Sequence, residues 1–350
     1  MANLYCTADR IGDSSGGGIV TRNEVEALRT LGQTFCLGLE DLKDFRGKTS
    51  PPWIYDEAAL KQVLSLLAHP DVRIRRAHFY AGTFSETVGR LKEADVSVTY
   101  TAAAHDIRIS REEHERLGIS FDYPHLTDPD LWKSYVRGYL LADVVVCPSK
   151  MSADIMRSYG CKNTVVIPHG VDPPAEVRPF PKRFTVGYLG AVGADKGLIY
   201  LLQAWKGLKW RDAVLVLAGR HMPDFVPFVR AYGGGNIEIR GFVKDVWEFY
   251  GGISVYCQPS VSEGFGVEIL EAMAAGRPVV ASCGAGASEL VDQSTAGIVV
   301  PIRDPDAIAS GLERMRSTPD PSWWGRGGRE SSFHYTWEKV RRMYVDVWSQ

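Results

Sequence analysis

A chain of 350 residues is long enough for roughly two domains, each with a sizeable core. Hydrophobic residues make up 45% and charged residues 23%, which excludes extended disorder, coiled-coil or collagen-like architecture and a membrane-embedded body. The 40 Lys and Arg against 42 Asp and Glu leave a formal charge of −2, and neither half is basic enough to wrap DNA or RNA.

The opening Met1-Ala-Asn-Leu-Tyr-Cys lacks the basic start and apolar stretch of a signal peptide. No window approaches the roughly 18 apolar residues of a membrane span, so a cytoplasmic chain without a transmembrane segment is expected. The 6 cysteines include no C-x-x-C pair, and most sit in apolar runs, where Cys behaves as a small hydrophobe. A disulfide framework or structural zinc is not expected.

In chain order, short β-branched apolar runs alternate with amphipathic stretches. Residues 3–8 read as a strand, and Val20–Leu31 as a helix with Val25, Leu28 and Leu31 on one face. The run Arg73, Arg75 and Arg76 reads as a solvated basic face. Residues 96–101, 144–148 and 164–167 are further strands, the last ended by Pro168. This is the rhythm of a parallel sheet covered by helices on both faces.

Residues 168–181 carry five prolines in fourteen positions, and proline both removes ladder donors and disfavours helix before it. The stretch predicts a connector, giving domains at 1–175 and 176–335 with a terminal helix over 336–350. In the second domain, residues 185–189, 213–218, 237–239, 253–257, 279–281 and 298–300 are strand-like. Two doubly wound, Rossmann-like domains are expected, with ligands at strand carboxyl ends facing an interdomain cleft. In the tail, Phe333, Trp337, Val340, Tyr344 and Val347 fall on one helical face and predict a docked helix. Asp128-Pro-Asp130 and Asp304-Pro-Asp306 read as helix starts, with Asp as cap and Pro at the first position, rather than as metal ligands.

The stretch Pro259-Ser-Val-Ser-Glu-Gly-Phe-Gly-Val-Glu-Ile-Leu-Glu-Ala-Met-Ala-Ala-Gly-Arg-Pro-Val-Val carries the chemistry. Pro259 stops a strand, Gly264 and Gly266 permit a tight turn, and Val267–Ala275 is built of strong helix formers. Gly276 sits at the helix exit and Pro278 prevents continuation. The helix start offers unpaired amides and roughly half a positive charge, which is an anion site. Glu263 lies before the helix and Glu271 about one turn inside it. Carboxylates grip vicinal hydroxyls by accepting two hydrogen bonds. Two of them flanking a phosphate cradle suit a molecule with hydroxyls at both ends and phosphate between, which is the layout of a nucleotide sugar.

In this context Glu263 and Glu271 resemble the E-x7-E signature of the family 4 retaining glycosyltransferases, whose fold is the two-domain GT-B architecture. The resemblance extends over most of the chain. Gly187-Tyr-Leu-Gly-Ala-Val-Gly-Ala-Asp-Lys-Gly looks like the family segment that opens the second domain, and Lys196 matches the lysine aimed at the donor diphosphate. Gly241-Phe-Val, Ala287-Ser-Glu-Leu-Val and Tyr335-Thr-Trp-Glu-Lys-Val look like later family elements. Gly16-Gly17-Gly18 resembles the family's amino-terminal glycine loop, able to offer amides to phosphate or acceptor. His105 stands where the family has a histidine that meets the donor sugar.

Two positions depart from the family pattern. Ala191 replaces an arginine that helps neutralise the diphosphate, and His169 replaces an asparagine in a turn. Arg220, just after the strand at 213–218, is expected to supply the charge lost at Ala191. The resemblance implies a retaining hexosyltransferase that moves sugar from a UDP- or GDP-sugar to a hydroxyl acceptor, whether sugar, lipid-linked or small molecule. No cofactor or metal is implied. The expected catalytic residues are Glu263, His105 and Lys196. The expected donor-binding residues are Gly17, Gly18, Lys196, Arg220, Gly264, Phe265, Gly266, Val267 and Glu271. A nucleotide-sugar epimerase of the same fold, or a binding-only relative, remains as the alternative. A dehydrogenase does not, because no G-x-G-x-x-G follows a strand with an acid about 20 residues on.

Overall fold

The computed structural model describes residues 1–8, 10–12, 16–38, 52–82, 84–102, 106–120, 129–191, 193–219, 226–232 and 236–349. Its contacts divide the chain into two compact units. Unit 1 holds Met1–Ala104, Asp122–His169 and Trp337–Gln350; unit 2 holds His105–Phe121 and Gly170–Thr336. The division therefore falls at the start of the proline-rich connector, at 169/170, and not at 175/176.

Unit 1 is built on strands β1 (Ala2–Thr7), β2 (Thr34–Leu37), β3 (Ile74–Tyr80), β4 (Ser97–Thr101), β5 (Val144–Cys147) and β6 (Thr164–Val166). They form one parallel sheet in the order β2-β1-β3-β4-β5-β6. β2 and β3 have no counterpart among the strands expected from sequence. β3 begins inside the basic run: Arg75 and Arg76 occupy its outer end, where Ile74 and Arg76 already pair with β1, and its inner half Ala77–Tyr80 is buried. Gly17 and Gly18 form part of the first turn of the helix Gly16–Arg29, so the glycine run is helical and not a loop ahead of the helix.

Unit 2 is built on β7 (Thr185–Leu189), β8 (Val214–Ala218), β9 (Ile237–Ile239), β10 (Val255–Gln258), β11 (Val279–Ser282) and β12 (Gly297–Val300). The parallel order β12-β11-β10-β7-β8-β9 reverses direction between β7 and β10. Such a reversal opens a crevice at the strand carboxyl ends, where doubly wound sheets take their ligands. Strand and helix side chains fill two core clusters of this unit, one around Tyr188, Leu201 and Leu217 and one around Tyr256, Ile269 and Met273. The expected two-domain GT-B arrangement of Rossmann-like sheets is thus what the chain adopts.

Two further differences have local causes. The helix Ile107–Leu117 lies in the amino-terminal half of the sequence, yet its contacts belong to unit 2. Its fully buried Glu113 accepts hydrogen bonds from Tyr200 Oη at 2.6 Å and from Arg303 Nε at 2.6 Å. In the tail, the terminal helix spans Trp337–Ser349 and buries Trp337, Val340, Tyr344 and Trp348. Phe333 is not part of this face: it sits in a separate 3-10 turn and is 45% exposed, because the extended backbone at Thr336 breaks the helix before Trp337. The second Asp-Pro-Asp does start a helix, with the Asp304 carboxylate accepting from the Ala307 amide at 2.8 Å and Pro305 opening the first turn. Among the described residues, no helix is long and apolar enough to cross a membrane.

Candidate active site

Most of the described residues expected to hold the donor gather where β7 and β10 end. After β7 the chain turns through residues 194–197 into the helix Leu198–Leu208, capped by Gly197 in the left-handed region (φ 65°). A side chain at Gly197 would place its Cβ 2.0 Å from the Pro259 carbonyl oxygen. Glycine here lets the two strand ends approach. The approach is locked by the Asp195 carbonyl, which accepts from the Val261 amide at 2.7 Å and the Ser262 amide at 3.2 Å. The residue after Asp195 and the residue after Ser262 are brought together in this way, and the Lys196 ammonium forms an ion pair with the Glu263 carboxylate. Both side chains are about one-fifth exposed, 21% and 18%.

The Glu263 turn is held on its other flank as well. The Glu263 amide donates to the Gly284 carbonyl at 2.9 Å, and its carbonyl accepts from the Gly286 amide at 3.0 Å. Ala287 N–H bonds the Phe265 carbonyl at 2.7 Å. Ser262 Oγ accepts from the backbone amide of Asp106 at 2.9 Å. Hydrogen bonds from three separate segments therefore fix the backbone on which the Glu263 side chain is mounted.

Gly264, Phe265 and Gly266 lead into the helix Val267–Ala274. The Phe265 ring is buried in the core, so what this residue can present to a ligand is backbone. Gly266 (φ 86°) caps the helix without a side-chain hydrogen bond to its first turn. The amides of Val267 and Glu268 thus start the helix without a competing carboxylate cap, which is the arrangement that attracts an anion.

Glu271 is one turn further on, where Tyr250 Oη donates to its carboxylate at 2.9 Å and to the Glu268 carbonyl at 3.0 Å. Burial, and then the neighbouring charge of Glu268, push the Glu271 carboxyl up to about 8. Glu268 is a member of this site that the sequence reading passed over. Its carboxylate reaches to within 3.7 Å of the position a Cβ would take at Gly190, the residue after β7. The i, i+3 spacing to Glu271 on one helical face was the available signal. Tyr250 carried no local signal, since it reaches the site from another helix, Val246–Gly251.

The structure thus brings Lys196, Glu263, Gly264, Phe265, Gly266, Val267 and Glu271 to one end of the unit 2 sheet. Gly17 and Gly18 lie in unit 1. His105 and Arg220 lie outside the described residues, as does Asp128. The neighbour of His105, Asp106, spends its carboxylate on the Arg108 amide at 2.9 Å and the Arg108 guanidinium at 2.7 Å, as the cap of its helix. Ala191, where the family arginine would stand, is exposed and its carbonyl accepts from Tyr188 Oη at 2.7 Å.

Comparison with known proteins agrees with this fold. Residues 183–317 match the family model described as Glycosyl transferases group 1, and residues 86–174 match that described as Glycosyltransferase Family 4. An uncharacterised glycosyltransferase of Methanocaldococcus jannaschii is 33% identical over 175 residues, covering 46% of this chain and 43% of that protein. The matches to the first three curated relatives span 43%, 46% and 25% of their lengths, so this chain aligns with less than half of each. Sucrose-phosphate synthase from Thermosynechococcus elongatus superposes with a TM-score of 0.79 at 21% identity, covering 100% of this chain and 99% of that one. The Anabaena protein HepE, in complex with UDP-glucose, superposes with a TM-score of 0.73 at 16% identity, covering 99% of each chain. On a GT-B fold, the chain thus carries a glycosyltransferase family 4 domain over residues 86–174 and a glycosyltransferase group 1 domain over residues 183–317.

Proposed function

We propose that the protein is a retaining glycosyltransferase that moves a hexosyl group from a nucleotide sugar, UDP- or GDP-linked, to a hydroxyl acceptor without a metal ion. The observation that carries the reading is the Lys196–Glu263 ion pair beside the uncapped start of the helix Val267–Ala274. The lysine ammonium and the backbone amides of the helix start are the positive groups that would hold a diphosphate. Glu263 neutralises that lysine while no donor is bound. A diphosphate competes for Lys196 and releases the Glu263 carboxylate to accept from sugar hydroxyls. Glu271 stands at the far side of the same helix start, where it can accept from both ribose hydroxyls.

Breaking the anomeric carbon–phosphate bond leaves a cation-like sugar and a nucleoside diphosphate. Catalysis requires groups placed where those charges develop. Lys196 and the helix amides stabilise the departing diphosphate, and Glu263 lies on the side of the developing positive charge. The acceptor hydroxyl attacks from the face the phosphate leaves, its proton passing to a phosphate oxygen, and configuration is retained. HepE supports a nucleotide-sugar ligand for this fold, being in complex with UDP-glucose.

The test is incubation with labelled UDP- and GDP-sugars and a panel of hydroxyl acceptors, in the presence of EDTA. Glycosylated acceptor plus free nucleotide, with the product anomer matching the donor by NMR, is the expected result. An isomerised donor would identify an epimerase. Binding without turnover would identify the binding-only relative that the exposed, uncharged Ala191 favours. Loss of activity in EDTA, restored by Mn²⁺, would overturn the metal-free reading.

A further inference from the structure

We propose that a cavity in unit 2, walled by Arg178 and Arg277, is a second anion site that takes a small phosphate-bearing ligand. The cavity has a volume of about 340 Å³ and is lined also by Pro174, Glu176, Trp247 and Gly251. None of these residues belongs to the Lys196–Glu263 site, and the proposal is independent of the activity assigned above.

Arg277 is the central observation. Its side chain is fully buried, yet no carboxylate among the described residues pairs with it. One nitrogen, Nη2, donates to the Arg178 carbonyl at 2.6 Å, with the Pro179 and Gly251 carbonyls more distant at 3.5 Å. The Phe180 ring covers a face of the guanidinium, 4.6 Å from its centroid, and supplies part of the compensation as a cation–π contact. The edge atoms Nε and Nη1 are buried without a hydrogen-bond partner. Burial pushes the group down to about 10, which still leaves it charged at neutral pH. A buried cation without a counter-charge costs several kcal/mol unless an anion sits close by.

A second positive group stands on the same wall. Arg178 is exposed, and its side chain crosses Gly251 so closely that a Cβ there would lie 2.4 Å from Arg178 Cδ. The fold thus leaves room for an arginine beside a cavity that already contains one. Two like charges on one cavity wall repel, and an oxyanion bound between them would turn the repulsion into attraction. The partly exposed Trp247 adds an aromatic wall against which a sugar ring or other flat group can lie. Glu176 on the rim works against an anion, which makes it a useful control.

The experiment is calorimetric titration of the full chain with inorganic phosphate in a phosphate-free, low-salt buffer, repeated in Lys196→Ala to discount phosphate held by that lysine. Saturable binding that persists in Lys196→Ala, weakens at least tenfold in Arg178→Ala and tightens in Glu176→Gln is the expected pattern. Both tested positions are exposed, so neither substitution threatens folding. Glucose 1-phosphate provides a second arm. Tighter binding than phosphate assigns a sugar phosphate as the ligand class, and equal binding assigns free phosphate; both outcomes uphold the site. Absence of saturable binding, binding unchanged in Arg178→Ala, or binding abolished by Lys196→Ala would each overturn it.

Discussion

The two units share an architecture, six parallel strands with helices between, but the acid at the centre of unit 1 and the acids at the edge of the unit 2 sheet stand in opposite settings. In unit 1 the carboxylate is inside. Glu24 is fully buried and accepts from Tyr5 Oη at 2.6 Å and Thr101 Oγ1 at 2.8 Å, with His78 Nε2 at 3.4 Å. Burial alone would raise this carboxyl. The His78 charge and hydrogen bonds from His78, Tyr5 and Tyr344 outweigh it and hold the group below its ordinary value. The same network reaches the terminal helix, where Trp348 Nε1 donates to Thr99 Oγ1 at 2.9 Å. In unit 2, Glu263, Glu268 and Glu271 sit partly exposed at strand ends and a helix start. A buried, fully partnered acid ties elements together, whereas acids at a strand carboxyl edge are available to a ligand.

The comparison is broken most directly at Glu24. Glu24→Ala should destabilise the protein by about 3–5 kcal/mol, since it leaves His78 and two hydroxyls without their partner in the core. Because the folded pKa is depressed, the stability Glu24 lends is present above the ordinary carboxyl range and lost as pH falls through the lowered value. Urea denaturation at neutral and acidic pH measures both. A variant of unchanged stability but altered nucleotide affinity would reverse the roles assigned to the two units.

Next in size are Lys196→Ala and Glu263→Ala. Each should lower turnover about 10²–10³-fold while leaving the urea midpoint close to wild type. The double variant should cost less than the product of the two, because the pair is coupled in the donor-free protein. Full additivity in that cycle would mean the ion pair has no bearing on the reaction.

Glu271 sharpens the comparison further through pH. Its folded value of about 8 lies above the ordinary 4.5, so the stability gained from its protonated form is complete below 4.5 and is lost as pH rises through about 8. Thermal melts should therefore show wild type declining between about pH 4.5 and 8 relative to Glu271→Gln, and level above that. Donor affinity should move the other way, rising through pH 8 as the ionised carboxylate becomes acceptor-only, and stay flat in Glu271→Gln. The smallest effect belongs to Ser262→Ala, which removes the contact to the Asp106 amide. A loss of about 1 kcal/mol in transition-state stabilisation, read as kcat with donor affinity held, is expected. An unchanged kcat would show that the Glu263 turn is rigid without that contact.

The Pro259-to-Pro278 segment was readable because its information is local: a strand stop, glycines at a turn, helix formers and a glycine exit within one continuous stretch. The strands at 185–189 and 237–239 were readable for the same reason, being short apolar or β-branched runs between turn residues. β3 was not, because two arginines at its outer end gave a strand the appearance of a charged surface stretch. Nor was the assignment of the helix Ile107–Leu117 to unit 2, which depends on Glu113 meeting Arg303 across 190 positions of sequence.

By itself the sequence determined most of the strands, though not β2 or β3, and where the connector lies; the grouping of Glu263, Lys196 and Glu271 as one kind of site rested on the family resemblance as well. The strands and the connector are consequences of backbone propensity, which acts over a few positions. Only the tertiary structure decided that Lys196 and Glu263 neutralise each other, that Tyr250 and Glu268 share the neighbourhood of Glu271, and that Arg277 is a buried cation with no carboxylate partner among the described residues. Charge pairing and burial depend on distances between atoms far apart in the chain, and those distances do not exist until the sheets have formed.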